Sequence, residues 1–410
     1  MTVAGSGAGA ARAAGEAASG MAPAVAAATT TLGVLGGGQL GRMFVHAAQA
    51  HGFRVAVLEP DAASPAGAAA DVHLRAPYAD ARALAELRAL CTAITTEFEN
   101  VPADVLRQLA TSHVVSPPAA AVEICQHRLR EKQCFAQGGV RCAPYARVES
   151  LADAHDERLA GLLPGILKTS SLGYDGKGQA MVTALADLPA AWTALGCAPC
   201  VLEQRLPLRH EISVIVARGA DGSLVHLPVQ QNLHRDGILA LTQVPAPDID
   251  ATTAALAVQQ AGHLATVMQY VGVLCVEFFV LADGSLVANE MAPRPHNSGH
   301  YSIDACDVSQ FDLQLRALLG WPLVAPRQHS AAVMLNLLGD LWFTGGDGAA
   351  LRAPEWASLL ALPGVHLHLY GKAEPRRGRK MGHITVTALD GSAARATALR
   401  VSALLGLAPF

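Results

Sequence analysis

The sequence predicts an α/β and α+β protein with three domains, and three observations support this. A glycine-rich turn joins an apolar strand to a helix near the N-terminus. Two Asp-Gly turns between apolar runs, at residues 220–223 and 282–285, indicate hairpins in the middle of the chain. The last part, from about residue 324, is rich in strand-like segments. A chain of 410 residues also exceeds what one hydrophobic core usually organises.

The composition excludes several classes of protein. The formal net charge of −4 gives no general basic surface for nucleic acid. The longest apolar run, residues 271–276, is too short to cross a bilayer. The eight cysteines are dispersed in apolar surroundings, which is typical of reduced thiols. We therefore expect a cytoplasmic protein that binds neither nucleic acid nor membrane.

Changes in sequence pattern predict the domain boundaries. Residues 1–30 are nearly all small or polar and offer too little apolar area to order a chain, so they are predicted to be a disordered tail. Residues 31–118 alternate strands with helices, and residues 119–323 combine longer helices with hairpins. Residues 324–410 are predicted to form a small β-rich domain that ends in a helix.

The first glycine-rich turn contains G-x-G-x-x-G at Gly36, Gly38 and Gly41. It follows a strand and opens a helix, which predicts the first βαβ unit of a Rossmann-like domain. Glu59, after the second strand, is placed to hold a ribose hydroxyl. Because such a turn also serves simply to pack helix on strand, an NAD-binding oxidoreductase or sensor is one alternative and a domain without a dinucleotide is the other.

Glu97 and Glu99 follow a later strand of the same domain. Ligands of open parallel sheets bind beyond the carboxyl ends of the strands, so these carboxylates are candidate ligand contacts. The alternative is that they are solvated and cap a following helix.

A second glycine cluster, residues 173–179, follows a predicted strand that ends near Lys168. It lacks the G-K-[ST] ending of a P-loop. Its backbone N–H groups and one lysine are suited to a flap that closes over phosphates, whereas an ordinary hairpin turn is the alternative.

The second Asp-Gly turn predicts a metal site. If Asp283 and Gly284 are the two central residues of a tight hairpin, Glu277 lies directly opposite Glu290. Facing carboxylates repel unless a cation lies between them, and Mg²⁺ with a bound phosphate meets that need. Asn289 adds a neutral oxygen. A longer hairpin, or an arginine paired with one glutamate, is the alternative.

Two polar segments suggest anion binding. The loop at residues 292–300 carries Arg294, suited to a bidentate anion contact, and His296. Near the C-terminus, residues 372–380 hold a cluster of lysines and arginines. Because no aromatic residues are interleaved, this cluster is predicted to bind one phosphate group and not a nucleic acid.

Together the segments GGGQLGRM, EFENVP, GYDGKGQ, QNLHRDGI, NEMAPRPHNSGH and GRKMGH resemble the ATP-grasp enzymes, specifically the 5-(carboxyamino)imidazole ribonucleotide synthase family. The resemblance implies a Rossmann-like pre-ATP-grasp domain, an ATP-grasp domain of two subdomains and a small β-rich C-terminal domain. It implies a carbon-nitrogen ligase of purine biosynthesis that uses ATP and Mg²⁺ to carboxylate 5-aminoimidazole ribonucleotide with bicarbonate. A homodimer is also implied.

The resemblance also implies site residues. ATP is expected at Arg128, Lys168, the flap residues Gly173, Tyr174, Asp175, Gly176, Lys177, Gly178 and Gln179, the adenine segment Glu203, Gln204, Arg205 and Leu206, and Glu211, His234, Asn289 and Glu290. The metal is expected at Glu277 and Glu290. The ribonucleotide and bicarbonate are expected at Gly38, Gln39, Tyr174, Asp175, Lys177, Arg294, His296, Asn297, Ser298, Lys372 and Arg379. Arg294, His296 and Lys168 are expected to be catalytic.

The chain departs from the family pattern at Arg377, where the family usually has proline. This departure places an extra charge beside the predicted phosphate site. An alternative of the same fold is an enzyme like the formate-dependent glycinamide ribonucleotide transformylase.

Overall fold

The computed structural model of the protein describes residues 30–171, 178–343 and 351–410. The predicted disordered tail lies outside these residues, apart from Thr30. The described residues form three β-sheets with helices packed against them. Among them, no helix is long and apolar enough to cross a membrane.

The N-terminal region is a parallel five-stranded sheet, which confirms the predicted α/β pattern. Its strands have the order β3-β2-β1-β4-β5 and comprise β1 (Thr31–Leu35), β2 (Arg54–Leu58), β3 (Val72–Leu74), β4 (Ala93–Thr96) and β5 (Val114–Ser116). The helices of this region are α1 (Gln39–Ala50), α2 (Pro65–Ala69), α3 (Ala81–Leu90), α4 (Ala103–Leu109) and α5 (Ala119–Cys125). The strand order reverses between β1 and β4, which is where open α/β sheets bind ligands.

A four-stranded antiparallel sheet follows, with the order β6-β9-β7-β8. Its strands are β6 (Tyr145–Val148), β7 (Gly165–Thr169), β8 (Gln179–Val182) and β9 (Cys200–Gln204). Two helices pack against it, α7 (Leu151–Ala154) and α8 (Leu188–Ala194), while α6 (Arg128–Gln137) precedes it in the chain and packs against α5. The connection from β7 to β8 contains residues 172–177, which lie outside the described part of the chain.

The third sheet has nine strands and includes the C-terminal region. Its order is β15-β14-β10-β12-β13-β16-β18-β17, with β11 paired to β10. The strands are β10 (Leu208–Arg218), β11 (Leu224–His226), β12 (Gln230–Arg235), β13 (Ile238–Val244), β14 (Gly272–Leu281), β15 (Leu286–Ala292), β16 (Ala331–Leu338), β17 (Val365–Leu369) and β18 (Lys380–Ala388). The helices are α9 (Ala251–Val267), α10 (Ser302–Ala305), α11 (Gln310–Leu319), α12 (Trp356–Leu360) and α13 (Gly391–Leu405).

This sheet continues across the predicted boundary at residue 323. Leu241 of β13 pairs with Leu335 of β16 in an antiparallel ladder. The strands of the C-terminal region therefore extend the central sheet and do not form a sheet of their own.

The hairpin between β14 and β15 differs from the predicted two-residue turn by one residue. Leu281 donates its N–H to the carbonyl of Ser285, so the loop has three residues and ends at Gly284, whose φ is +83°. This is the αL position that three-residue hairpin loops require. The register then shifts at a β-bulge next to Glu277, where Asn289 is the extra residue, and Glu277 pairs with Glu290. The bulge offsets the longer turn, so the predicted pairing of the two glutamates is confirmed.

Gly339 is a sensitive position, because a Cβ there would lie 2.2 Å from the backbone oxygen of Arg376. We expect Gly339→Ala to lower the free energy of unfolding by about 1–3 kcal/mol, the usual cost of overpacking. Denaturant unfolding of the purified protein measures this. Gly391→Ala is the matched control, since a Cβ at Gly391 would have nothing within 4 Å. Equal stability of the Gly339→Ala variant and the parent would contradict the prediction.

Candidate active site

The predicted metal residues Glu277 and Glu290 and the predicted ribose residue Glu211 lie on three neighbouring strands of the nine-stranded sheet. Ser213 of β10 pairs with Glu277 of β14, and Glu277 pairs with Glu290 of β15. Glu211 lies two residues before Ser213, so the alternation of side chains along a strand directs it to the same face. Three neighbouring strands therefore bring their acidic side chains together.

The carboxylates of Glu277 and Glu290 face each other across two paired strands. Burial raises the pKa of Glu277 to about 7, and the facing Glu290 carboxylate adds to the rise. Arg128 Nη1 lies 3.4 Å from Glu290 Oε2, and His296 Nε2 lies 3.2 Å from Glu277 Oε1. The predicted alternative, an arginine beside one glutamate, is thus also present, but one guanidinium cannot neutralise both carboxylates.

Glu277, Asn289 and Glu290 carry oxygen atoms of the kind that magnesium binds. The side-chain oxygen of Asn289 is buried and has no hydrogen-bond partner among the described residues. A buried polar atom in that state is a natural ligand contact. Mg²⁺ binds carboxylate and carbonyl oxygens together with substrate phosphates. Glu277, Asn289 and Glu290 therefore form a suitable donor set, and Mg²⁺ bound there would neutralise the two carboxylates.

Lys168, predicted to bind ATP phosphates, lies beside a second lysine that sequence reasoning missed. Glu203 Oε2 accepts a hydrogen bond of 2.8 Å from Lys168 Nζ, and Glu203 Oε1 lies 3.0 Å from Lys132 Nζ. Burial alone would raise the pKa of Glu203, but the two ammonium groups outweigh it and lower that pKa to about 2. Lys132 lies four residues after Arg128 on α6, a spacing that places both on one helix face and offered a signal for finding it.

Glu211 and His234, predicted at the ribose, contact each other through Glu211 Oε2 and His234 Nδ1. Burial opposes protonation of His234, but the bond to Glu211 and the charge of Glu277 raise its pKa overall. The adenine segment, Glu203, Gln204, Arg205 and Leu206, begins at the end of β9 and continues into the connection to β10. The predicted nucleotide residues therefore line the junction of two sheets.

Arg294 is held by a carboxylate from the N-terminal region. Its Nε donates to Oε2 of Glu99, and its Nη1 donates to the carbonyl of Pro295 at 3.2 Å. Burial works against the charge of Glu99, yet Arg294 keeps the pKa of that carboxyl below its usual range. Glu99 is thus neither a solvated carboxylate nor a helix cap, because it fixes the guanidinium expected to meet an anion.

The loop after Arg294 holds three further predicted residues. His296 Nδ1 lies 2.9 Å from Ser298 Oγ, and Ser213 donates to the same oxygen at 2.7 Å. Burial and the charge of Arg294 keep the pKa of His296 well below its usual value, so its imidazole is neutral. Both side-chain polar atoms of the buried Asn297 lack partners among the described residues. The loop thus offers unused hydrogen-bonding groups beside a neutral histidine.

The first glycine-rich turn is filled by the protein's own carboxylates. Gly38 and Gly41 donate their N–H groups to Glu97 at 2.7 and 3.1 Å, and Gly37 donates to Glu59 at 2.9 Å. These N–H groups would face a phosphate in a dinucleotide-binding domain. Glu97 therefore caps α1, the helix before it in sequence, and the arrangement argues against the NAD-binding alternative. The N–H of Gly38 is occupied by Glu97, while Gln39 opens α1 and is half-buried.

The basic cluster predicted to bind a phosphate forms one loop between β17 and β18. Lys372 Nζ donates to the carbonyl of Lys380 at 2.6 Å, and Arg379 Nη1 donates to the carbonyl of Glu374 at 2.8 Å. Arg377 turns away toward Asp340, 3.7 Å distant, and toward the ring of Phe343. The positive charge of Arg377, where the family usually has proline, is therefore balanced by the carboxylate of Asp340.

The predicted flap falls largely outside the described residues. Gly173, Tyr174, Asp175, Gly176 and Lys177 are all in that part. Of the flap, Gly178 and Gln179 are described, with Gln179 opening β8.

Three family models match the chain in succession. They describe a ribonucleotide synthetase preATP-grasp domain at residues 29–126, an ATP-grasp domain at 133–311 and a phosphoribosylaminoimidazole carboxylase C-terminal domain at 332–397. The matched ATP-grasp region contains the four-stranded antiparallel sheet and strands of the nine-stranded sheet, and the chain is an ATP-grasp enzyme.

Similarity to known proteins identifies the family within the ATP-grasp class. The chain is 44% identical to the N5-carboxyaminoimidazole ribonucleotide synthase of Brucella melitensis over 87% of its own length and 96% of the relative. The crystal structure of the Staphylococcus aureus N5-carboxyaminoimidazole synthetase complexed with ADP matches with a TM-score of 0.83 and 37% identity, covering 92% of this chain and 98% of that one. An Aspergillus clavatus N5-carboxyaminoimidazole synthase in complex with ADP and 5-aminoimidazole ribonucleotide matches with a TM-score of 0.82 and 31% identity, covering 92% and 99%. This chain therefore belongs to the N5-carboxyaminoimidazole ribonucleotide synthase family, which confirms the resemblance.

The buried Glu203 makes stability depend on pH. Its pKa is lowered from the ordinary 4.5 to about 2, so its contribution is complete above pH 4.5 and is lost as the pH falls toward 2. We expect Glu203→Gln to cost about 3–5 kcal/mol at pH 7, because two buried ammonium groups lose their partner. This cost, measured by denaturant unfolding at several pH values, should shrink below pH 4.5. Glu374→Gln, which breaks an exposed pair with Arg376, is the control and should change little. A cost independent of pH would count against the lowered pKa.

The ion pair of Glu99 and Arg294 predicts a catalytic effect of a residue from the N-terminal region. Glu99→Gln removes the charge that orients the guanidinium, and small displacements in an active site can cost about 100-fold in rate. We expect kcat for ATP turnover to fall by about that factor. Steady-state kinetics measure this, with the exposed Glu86→Gln as control. Unchanged kcat in the Glu99→Gln variant would show that Arg294 needs no such partner.

Proposed function

We propose that this chain carboxylates the exocyclic amine of 5-aminoimidazole ribonucleotide, using ATP and bicarbonate. The observation that carries the proposal is the facing pair Glu277 and Glu290, together with the buried side-chain oxygen of the adjacent Asn289, which has no hydrogen-bond partner among the described residues. Membership of the family supports the choice of substrate, since one relative is described in complex with ADP and 5-aminoimidazole ribonucleotide.

The proposed reaction has two steps. An oxygen of bicarbonate attacks the γ-phosphorus of ATP, the bond from that phosphorus to the β–γ bridging oxygen breaks, and ADP leaves with the electron pair. The resulting carboxyphosphate is attacked at its carboxyl carbon by the amine of the ribonucleotide. The carbon–oxygen bond to phosphate breaks, inorganic phosphate leaves and takes up the proton that the amine loses.

Positioning and charge neutralisation supply most of the catalysis in such phosphoryl transfers. Lys168 and Arg128 would face the phosphates of ATP, and Glu203 would keep Lys168 in place. Mg²⁺ bound by Glu277, Asn289 and Glu290 would neutralise charge that develops on the transferred phosphoryl group. The carboxylate pair alone would repel the nucleotide, so the metal is an essential part of the proposal.

Arg294 and His296 are proposed to hold bicarbonate and the carboxyphosphate formed from it. Arg294 supplies a permanent positive charge, and His296 supplies a neutral imidazole that can donate or accept a hydrogen bond. Asn297 and Ser298 would complete this pocket. The predicted flap, residues 173–179, would close over it and keep water from the intermediate.

The remaining predicted residues complete the two substrate sites. Gln204, Arg205 and Leu206 would border the adenine, and Glu211 with His234 would take the ribose of ATP. Lys372 and Arg379 would bind the phosphate of the ribonucleotide, with Gly38 and Gln39 nearby. A homodimer and a cytoplasmic location belong to the same proposal.

Substrate dependence of ATP hydrolysis tests this function. We expect phosphate release to require both 5-aminoimidazole ribonucleotide and bicarbonate in buffers freed of carbon dioxide. Formate with glycinamide ribonucleotide should not replace them. Glu290→Gln should lower the rate by about 100-fold or more through loss of a metal ligand, whereas the exposed Glu355→Gln should not. Turnover indifferent to bicarbonate would reject the assignment, and turnover driven by formate would favour the transformylase alternative.

A further inference from the structure

Tyr370 joins the C-terminal region to the core of the N-terminal region. It follows β17 directly and is 2% exposed. Its side chain belongs to a hydrophobic cluster with Phe44 of α1 and Phe311 of α11. Tyr370, at the start of the predicted phosphate-binding loop, is thus packed in a hydrophobic cluster that includes residues of the N-terminal region.

The hydroxyl of Tyr370 is fixed by a histidine of the neighbouring strand. Tyr370 Oη lies 3.0 Å from Nδ1 of His383, which is fully buried on β18. The ring of His383 stacks on that of His368 with centroids 4.4 Å apart and planes at 12°. His368 Nε2 in turn lies 2.8 Å from Asp304 Oδ2. The orientation of the Tyr370 ring is therefore supported by His383, whose ring is held in turn by stacking on His368.

The arrangement of these histidines does not suit a metal ion. Asp304, His368 and His383 bring possible ligand atoms within 4.8 Å of one another. A metal bonds to imidazole nitrogen in the plane of the ring, and two nearly parallel rings 4.4 Å apart cannot both point their planes at one ion. The group is better suited to hold Tyr370.

Lys372 lies above the face of this fixed ring. Its Nζ is 5.6 Å from the centroid of Tyr370, within the range of a cation–π contact. The same ammonium group donates to the carbonyl of Lys380. A long lysine side chain has many rotamers, and the ring and the carbonyl together select one of them.

We propose that Tyr370 is a positioning residue for the ribonucleotide substrate, acting through Lys372. The ring face holds the Lys372 ammonium group where the phosphate of the substrate arrives, and His383 keeps the ring in that orientation. This inference rests on the proposed function, because Lys372 is taken to bind that phosphate.

The test compares variants at Tyr370 in two backgrounds. Tyr370→Leu removes the ring face, and we expect it to raise the KM for 5-aminoimidazole ribonucleotide by about threefold to thirtyfold, which spans the range of cation–π contacts. The KM for ATP should change by less than about twofold, since the nucleotide site is separate. Tyr370→Phe keeps the ring and removes the hydroxyl, so its effect on the same KM should be smaller than that of Tyr370→Leu.

A double-mutant cycle separates positioning from a general structural effect. In the Lys372→Met background, Tyr370→Leu should raise the KM for the ribonucleotide no further, because the group it positions is absent. Additive effects in the cycle would overturn the proposal, and so would equal KM changes for ATP and the ribonucleotide. An unchanged KM for the ribonucleotide in Lys372→Met alone would remove the assumed role of Lys372 and the inference with it, while bicarbonate-dependent turnover would show that the proposed function itself stands.

Thermal unfolding of each variant shows whether it is folded at the assay temperature. Tyr370→Leu opens space in a buried cluster, so Tyr370→Met serves in the same cycle if the leucine variant does not fold. Methionine fills irregular space and also lacks a ring. The same pattern of effects on the two KM values is expected for it.

Discussion

The repulsion between Glu277 and Glu290 is the interaction on which the rest of the site depends. Sheet pairing holds the two carboxylates face to face, and burial of Glu277 limits the screening of its charge by water. Such an arrangement is unfavourable unless a cation compensates it. Arg128 is the cation that the protein places beside Glu290, and the neutral imidazole of His296 lies beside Glu277, so a bound metal would have to supply the remaining positive charge.

Elsewhere in the site, each charge has a partner that fixes its position. Glu203 lies between two lysines, and Glu99 orients Arg294 from another part of the chain. Fixed partners of this kind reduce the reorganisation needed when charge moves during a reaction. The site thus contains the repelling pair Glu277 and Glu290 beside several ion pairs of opposite charge. A bound cation would lower the electrostatic energy most at the repelling pair.

The sequence predicted the order of elements well and the details of pairing less well. Facing glutamates were predicted from a two-residue turn, yet the turn has three residues and a bulge at Asn289 restores the pairing. Turn length and bulges depend on packing that a turn motif does not encode. The link from Glu203 to Lys132 joins two elements far apart in sequence, and the capping of α1 by Glu97 depends on the sheet order. Both contacts depend on the tertiary fold, although the spacing of Arg128 and Lys132 already placed those two residues on one face of α6.

The unbroken ladder from β13 to β16 has a consequence for how the molecule can be divided. A cut near residue 323 would strip β13 of its neighbour and leave a row of bare backbone donors and acceptors, the kind of edge that recruits other chains. Chimeras that exchange the C-terminal portion between homologues must therefore preserve the pairing of β13 with β16. For the same reason, limited proteolysis near residue 323 need not release an independent fragment.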